Sequence, residues 1–311
     1  MDCVIAVDVG GTFMKGGLAA PDGALTHTSR RPTPRTDGPS AVLAAIRAYI
    51  AALADDARNF GMQPVAIGLA VPGLVTPTHA IFSAAFGWHD VTADAFNPLD
   101  LPLALGHDVR SAAEAERAHG AAGGAEATLF LPIGTGIAGA ITLGDRGGRA
   151  PESGDVSGGA VYGGAAGWAG QIGHMPVYPD GRPCGCGQRG CLSRYASASA
   201  IAAQCGETSA EAVVARMAAG DETATRVWHE AADALALALA TYTLIFDPAL
   251  VVVGGGLSLA GETLLTPVRD RLTRRLAFRP PPRLELSRLG VHAGLMGAAL
   301  LGLRAAGRPL K

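Results

Sequence analysis

Apolar residues along this chain recur at two spacings, and the alternation between them outlines the fold. VIAVDVGG (4–11) is a β-branched run that ends in glycines, and the TFMKGGLAA after it is suited to pair back as the second strand of a hairpin. From Ser40 to Phe60, residues Val42, Leu43, Ile46, Ile50 and Leu53 fall at helical spacing and Gly61 supplies a stop, which predicts an amphipathic helix. VAIGLAVPG (65–73) and PLALGHD (102–108) read as buried strands, the second running into a helix, VRSAAEAERAHG, closed by Gly120. At Ala127 the pattern restarts, because ATLFLPIGTGIAGAITLG repeats the strand, glycine turn, strand order of the N-terminus. Two related α/β halves are expected. Glu222 to Phe246 predicts a long helix, ALVVVGGGL (249–257) a strand opening into three glycines, and the tail from Leu295 a last helix packed back on the first half.

Length and charge narrow the function classes. A chain of 311 residues with 49% hydrophobic content can bury two cores of ordinary size. Lys plus Arg at 25 against Asp plus Glu at 27 gives a net charge of -2, which offers no broad basic face to nucleic acid or an anionic membrane. A small-molecule partner is expected. MDCVIAVDVGG lacks the cationic start of a signal peptide, and the longest apolar run, Ala234 to Phe246, is too short to span a bilayer, so a soluble cytoplasmic protein is expected. Five cysteines, three of them clustered, do not form a secreted disulfide framework. Metal or redox chemistry remains.

Three strand-to-glycine turns stand out: DVGGTFMK (8–15), IGTGIAG (133–139) and VVGGGL (252–257). One alone is no more than a tight turn. Several together suit a phosphate cradle, since glycine lets backbone N–H groups approach an anion. None fits the P-loop or dinucleotide patterns. In order and spacing they resemble the phosphate-1, phosphate-2 and adenosine segments of an α/β, two-lobed actin-like ATPase (ribonuclease H-like) fold of sugar kinase type. Within that fold the chain resembles the ROK family (repressors, open reading frames, kinases), which contains bacterial glucokinases and kinases of modified hexoses. The resemblance runs from Val4 through the final helix. It implies a first lobe of roughly residues 1–117 plus 295–311 and a second of 118–294, closing around substrate. It also implies ATP and Mg2+ as cofactors, a sugar as substrate and a homo-oligomer, dimer or tetramer.

The most specific stretch is GHMPVYPDGRPCGCGQRGC, in which His174, Cys184, Cys186 and Cys191 form the pattern H-x9-C-x-C-x4-C. Thiolate and imidazole donors in a Cys3His set suit tetrahedral Zn2+, and four protein ligands leave no open position, so such a zinc would be structural. A redox pair is the alternative, although Cys184 and Cys186 flank one residue rather than the two of a CxxC motif. ROK proteins carry zinc at the matching positions. In that family the matching histidine also turns its second ring nitrogen to a sugar hydroxyl.

Asp108 ends one predicted strand and starts a helix, a place that suits a plain helix cap as well as a catalytic anion. In the ROK family the matching Asp is the base that accepts the proton of the sugar 6-hydroxyl. The resemblance places Asp8 at the Mg2+ water shell, with Gly10, Gly11, Thr12 and Lys15 near the transferred phosphoryl, although Lys15 also fits a solvated strand end. Gly134, Thr135 and Gly136 would hold the other phosphates, and Gly254, Gly255 and Gly256 would border the adenosine.

The sugar side departs from the family pattern. Gly73, His107, Gln171, His174 and Ser193 occupy the substrate-binding positions together with Asp108. The family usually has Asn where this chain has His107, Glu where it has Gln171, Glu where it has Ser193, and Asn where it has Ala85. Two lost carboxylates remove acceptors for hydroxyls near C1 and C2. A modified hexose is therefore expected, 3-amino-3-deoxyglucose (kanosamine) being the specific candidate, with drift around ordinary glucose as the alternative. The Gly- and Ser-rich stretch Gly144 to Gly170 is expected to be an insertion without catalytic residues, with a cover for the sugar or a subunit contact as the alternatives. A sugar-responsive repressor is disfavoured, because such proteins carry a winged-helix domain ahead of the first strand. A catalytically weak sugar sensor is opposed by the retained Asp108 and glycine segments.

Overall fold

The computed structural model describes residues 1–144 and 161–308. They group into two compact units, Met1–Ala115 with Gly164–Trp168 and His292–Lys311, and Glu116–Gly163 with Ala169–Val291.

The first unit is built on β1 (Asp2–Val9), β2 (Phe13–Ala19), β3 (Leu25–Pro32), α1 (Pro39–Asn59) and β4 (Gln63–Val71). It continues with the short strands β5 (Leu74–Val75), β6 (His79–Ser83) and β7 (Trp88–Thr92), then β8 (Leu103–His107) and α2 (Asp108–His119), whose residues from Glu116 on belong to the second unit. The main sheet runs β3-β2-β1-β4-β8, with β2 antiparallel to β1 and β3, and β1, β4 and β8 parallel. Both faces of β1 are covered, which is why its sequence is continuously apolar rather than alternating. Ile5, Val7 and Val9 meet Val42, Ile46 and Ile50 of α1 on one face, and Val4 and Ala6 meet Leu295, Ala298 and Leu303 of the C-terminal helix (Ala293–Ala305) on the other. That helix rides close to the sheet, since a Cβ on Gly68 would lie 1.8 Å from the Ala298 carbonyl oxygen.

Nothing in the apolar pattern marks β3, LTHTSRRP. It is an edge strand exposed over almost its whole length, and its formation is imposed by pairing with β2 rather than by burial. The β5-β6-β7 sheet is likewise outside the sequence reading. Trp88 anchors it by donating Nε1–H to the Pro39 carbonyl at 3.1 Å.

The second unit contains β9 (Ala127–Pro132), β10 (Ala140–Leu143), β11 (Val161–Tyr162), α3 (Ser193–Ala196), α4 (Ala198–Gln204), α5 (Ala210–Ala218), α6 (Glu222–Phe246), β12 (Leu250–Gly254), α7 (Glu262–Arg275) and β13 (Arg283–Leu286). Its sheet runs β11-β10-β9-β12-β13, with β10 antiparallel to its neighbours and β9, β12 and β13 parallel. Order and strand sense match those of the first sheet, the internal duplication of the actin-like ATPase fold. The α6 helix starts on a cap, the Asp221 carboxylate accepting the Ala224 N–H at 2.9 Å, and buries Val227, Trp228, Ala231, Leu235 and Leu239. Glu116 is fully buried and, among the described residues, accepts from Ser287 Oγ, the Leu289 N–H at 3.0 Å and the Ala121 N–H at 2.7 Å, all in this unit.

Of the Gly144 to Gly170 stretch, expected to be an insertion without catalytic residues, residues 145–160 lie outside the described residues. The end of the stretch is anchored. Arg110 donates to the Gly167 carbonyl at 2.5 Å, and Trp168 lies 6.4 Å from the Phe82 ring.

Candidate active site

In the first unit the end of β1, the β1–β2 turn and the head of α2 carry the chemistry. Register pairs Asp8 with Lys15 directly across the strands, so both side chains leave the same face, and Lys15 Nζ reaches the Asp8 carboxylate at 3.7 Å. Burial lifts the Asp8 carboxyl to about 6, opposed by the Lys15 ammonium and assisted by the Asp108 charge. The C-terminal helix begins against it, because a Cβ on Gly294 would lie 2.3 Å from Asp8 Oδ2.

The turn after β1 divides the labour among its residues. Gly10 donates its N–H to the Phe13 carbonyl at 3.0 Å, which closes the turn, so its amide is spent internally. The Gly11 and Thr12 amides have no backbone acceptor among the described residues and remain for an anion.

Asp108 opens α2 directly from β8. Its Oδ1 accepts the Val109 N–H at 2.8 Å, which leaves Oδ2 to meet a substrate proton. Burial raises its carboxyl to about 6, while the Val109 N–H pulls it back. That value sits where a base is both ionised at neutral pH and strong enough to take a proton. His107 is driven the other way, down to about 3, by burial and by the neighbouring Arg110 charge. Its ring is therefore neutral, and its 3.4 Å approach to Asp108 Oδ1 is not an ion pair. Nδ1 accepts the Arg110 backbone N–H at 3.3 Å, so the ring proton sits on Nε2 and His107 presents a hydrogen-bond donor. Gly73 has φ +128°, and a Cβ there would lie 2.2 Å from the Phe82 carbonyl oxygen, so this position tolerates only glycine. Ala85 is exposed in the turn between β6 and β7.

In the second unit the two remaining glycine turns adjoin one another. Ile133 donates to the Gly254 carbonyl at 2.9 Å and accepts the Leu257 N–H at 3.0 Å. Gly255, at φ +74°, packs so tightly that a Cβ would lie 2.5 Å from the Ile133 carbonyl oxygen. Gly134, Gly136 and Gly256 have open space where a side chain would be, and Ser199 ties the Thr135 carbonyl at 2.5 Å. Backbone on both turns is thus reachable by a ligand.

His174 ends a 3-10 turn (Ile172–His174) that begins just after the exposed Gln171. Close packing brings Ser193 beside it, since a Cβ on Gly173 would meet Ser193 Oγ at 2.4 Å and the Ile137 carbonyl oxygen at 2.0 Å. Ser193 Oγ thus lies beside the short segment that carries Gln171 and His174.

The ligand atoms of His174, Cys184, Cys186 and Cys191 all lie within 4.8 Å of one another. His174 Nδ1 is 3.8 Å from Cys184 Sγ, and Cys186 Sγ is 3.6 Å from Cys191 Sγ. A tetrahedral ion with Zn–S distances of about 2.3 Å asks for ligand atoms about 3.7 Å apart. The donor set fits zinc. Cys186 is held down to about 6, first by the Gln188 backbone N–H, whereas burial pushes Cys191 up to about 12. A bound cation would draw both to thiolate. The loop is braced independently of metal: Arg182 pairs with Glu230 of α6 at 2.9 Å, donates its N–H to the Tyr195 hydroxyl at 2.8 Å and lies over the Tyr195 ring.

Three residues outside the sequence reading contribute. Thr33 clips the β1–β2 turn, Arg110 fixes both His107 and Gly167, and Gly294 makes room for Asp8. Thr33 carries a faint sequence signal, a hydroxyl between two prolines. No helix among the described residues is long and apolar enough to cross a membrane.

The family pattern described as ROK family matches residues 4–305. The chain is 30% identical over 328 residues to the glucokinase of Streptomyces coelicolor, covering 96% of this chain and 97% of that protein. It is 31% identical over 313 residues to the N-acetylmannosamine kinase of Escherichia fergusonii, again with 96% and 97% covered. Among solved structures, the ROK family glucokinase from Streptomyces griseus in complex with glucose and AMPPNP superposes with a TM-score of 0.82 at 27% identity, covering 97% of this chain and 99% of that one. Glycine turns, head-of-helix aspartate, Cys3His loop and full-length similarity agree, and the chain belongs to the ROK family.

Proposed function

We propose that this sugar kinase transfers the γ-phosphoryl of ATP to the 6-hydroxyl of a hexose, with Asp108 as the base. The observation that carries this reading is the Asp108 carboxylate itself, tied through Oδ1, open at Oδ2, and held near 6. As the hydroxyl oxygen attacks phosphorus its proton passes to Oδ2, and ADP leaves. Little covalent chemistry is asked of the protein, so positioning and charge dominate.

The Gly11 and Thr12 amides face the transferred group, Thr135 and Gly136 are assigned to the remaining phosphates, and Gly255 and Gly256 to the nucleoside side. Asp8 is the residue that would hold Mg2+ through its water shell, and one ionised carboxylate beside a triphosphate suits a hard cation that keeps most of its water. The metal would supply charge neutralisation. His174, Cys184, Cys186 and Cys191 would hold a structural zinc with no part in proton transfer. His174 turns Nδ1 to the thiols, which leaves Nε2 for a sugar hydroxyl.

For the sugar, two readings stand. The substitutions His107, Gln171 and Ser193 support a hexose with an altered ring substituent, kanosamine being the specific candidate. The relatives named glucokinase support glucose. His107 donates from Nε2 and carries no charge, and neither Gln171 nor Ser193 supplies a carboxylate, so an aminohexose would be taken as the free amine rather than the ammonium ion.

A panel of hexoses and aminohexoses, with ATP consumption followed for each, tests the reading. Kanosamine should outrun glucose, and its advantage should grow as pH rises through the pKa of its amine. A clear preference for glucose at every pH returns the protein to ordinary glucokinase. Measurable sugar binding without turnover of any hexose would mark a sensor instead.

A further inference from the structure

The β1–β2 turn is held against the segment that leaves β3. Thr33, itself buried, donates its hydroxyl to the Gly10 carbonyl at 2.8 Å and its backbone N–H to the Thr12 carbonyl at 2.9 Å. Arg35 follows at the head of a short 3-10 turn (Arg35–Asp37), its own N–H bonded to the Thr33 carbonyl at 2.8 Å. Its backbone is thereby locked beside the glycine turn. One of its guanidinium nitrogens, Nη1, lies 4.0 Å from the point where a Cβ on Gly11 would sit.

The charge balance around this turn is incomplete without Arg35. Asp8 and Asp108 lie close enough for the charge of one to raise the other, and both are ionised at neutral pH. An incoming polyphosphate thus meets two carboxylates. Lys15 stands 3.7 Å from Asp8 and is largely offset by it. The Arg35 guanidinium, in contrast, is exposed and has no ion-pair or hydrogen-bond partner among the described residues. The nearest acid in sequence, Asp37, accepts instead from the Thr36 hydroxyl at 3.1 Å.

We propose that Arg35 is a donor-phosphate contact, its guanidinium engaging the non-bridging oxygens of the terminal phosphoryl group while that group rests on the Gly11 and Thr12 amides. The proposal rests on the sugar-kinase reading and adds a residue to it. A planar fork of N–H donors matches two phosphoryl oxygens at once, which a lysine ammonium does not. In a loose transition state those oxygens carry the charge, so the contact serves transfer as well as binding. Arg35 makes and breaks no bond. The proton still goes to Asp108 and ADP still leaves.

Arg35→Ala and Arg35→Lys, compared with wild type, test this by two measurements. The first is calorimetric binding of ATP, ADP and AMP. Loss of a charge-assisted contact should weaken ATP about tenfold or more in Arg35→Ala, weaken ADP less, and leave AMP unchanged, with partial recovery in Arg35→Lys. The second is steady-state kinetics, in which the KM for ATP should rise and kcat fall while the KM for sugar stays put. Because the side chain is exposed, the thermal midpoint should not move, which separates the effect from misfolding. Equal weakening of ATP and AMP, or unchanged ATP binding and kcat, overturns the proposal. Wild type that turns over no hexose overturns the kinase reading, and the ATP-against-AMP comparison still decides Arg35.

Discussion

Replacing Asp108 with Asn should stabilise the folded protein while removing its activity. Burial raises the Asp108 carboxyl from 3.8 to about 6, so ionising it costs more in the native state than in the unfolded chain. A rise of that size corresponds to at most about 3 kcal/mol. Its side chain is 23% exposed, and solvent reaching it reduces the figure, so about 1–3 kcal/mol is expected. The sign follows from proton binding. Between pH 3.8 and about 6 the native state holds a proton that the unfolded state has released, so stability falls as pH rises through that window and the cost is fully felt above it. Asn keeps an oxygen to accept the Val109 N–H and brings no charge. Asp8, raised first by burial and also by Asp108, loses a like-charged neighbour. Urea and thermal melts of both proteins at pH 7.5 should show the variant's midpoint higher by a few degrees. The gap should close as pH drops toward 4, and kcat should fall at least about a hundredfold. Equal midpoints at pH 7.5, a gap that persists at pH 4, or full turnover by the variant would refute the assignment.

Metal analysis of the purified protein should find about one zinc per chain, and Cys184→Ser should lower that content together with the thermal midpoint; metal-free protein with unchanged stability would show that Arg182 and Tyr195 hold the loop alone. Gly255→Ala places a Cβ 2.5 Å from the Ile133 carbonyl oxygen at φ +74°. Backbone must shift, so nucleotide binding should weaken at least about tenfold with little change in sugar binding, as measured by calorimetry with each ligand.

Much of this was legible in the chain. α6 runs from Glu222 to Phe246, as its apolar spacing predicts, and the repeated strand-glycine-strand segments correspond to two sheets of the same order. The Cys3His spacing anticipates four donors that the fold brings together. What escaped the sequence depends on partners distant along it. β3 is polar and exposed, and only β2 gives it a reason to be a strand. The resemblance puts Gly10 near the transferred phosphoryl together with Gly11 and Thr12, and only the fold shows that its amide is spent on the Phe13 carbonyl. The tautomer of His107 is set by the backbone of Arg110, and the role of Arg35 by the clip at Thr33; neither has a periodic signature.

The C-terminal helix covers the Val4, Ala6, Ala66 and Ala70 face of the first sheet, reaching it through the close approach at Gly68. During synthesis that face is made among the earliest residues and its cover among the last. For the time needed to add the intervening chain, about half a minute at ordinary elongation rates of roughly 5–20 residues per second, an apolar surface waits on the ribosome. A nascent chain of this protein should therefore recruit holdase chaperones early and shed them only near release.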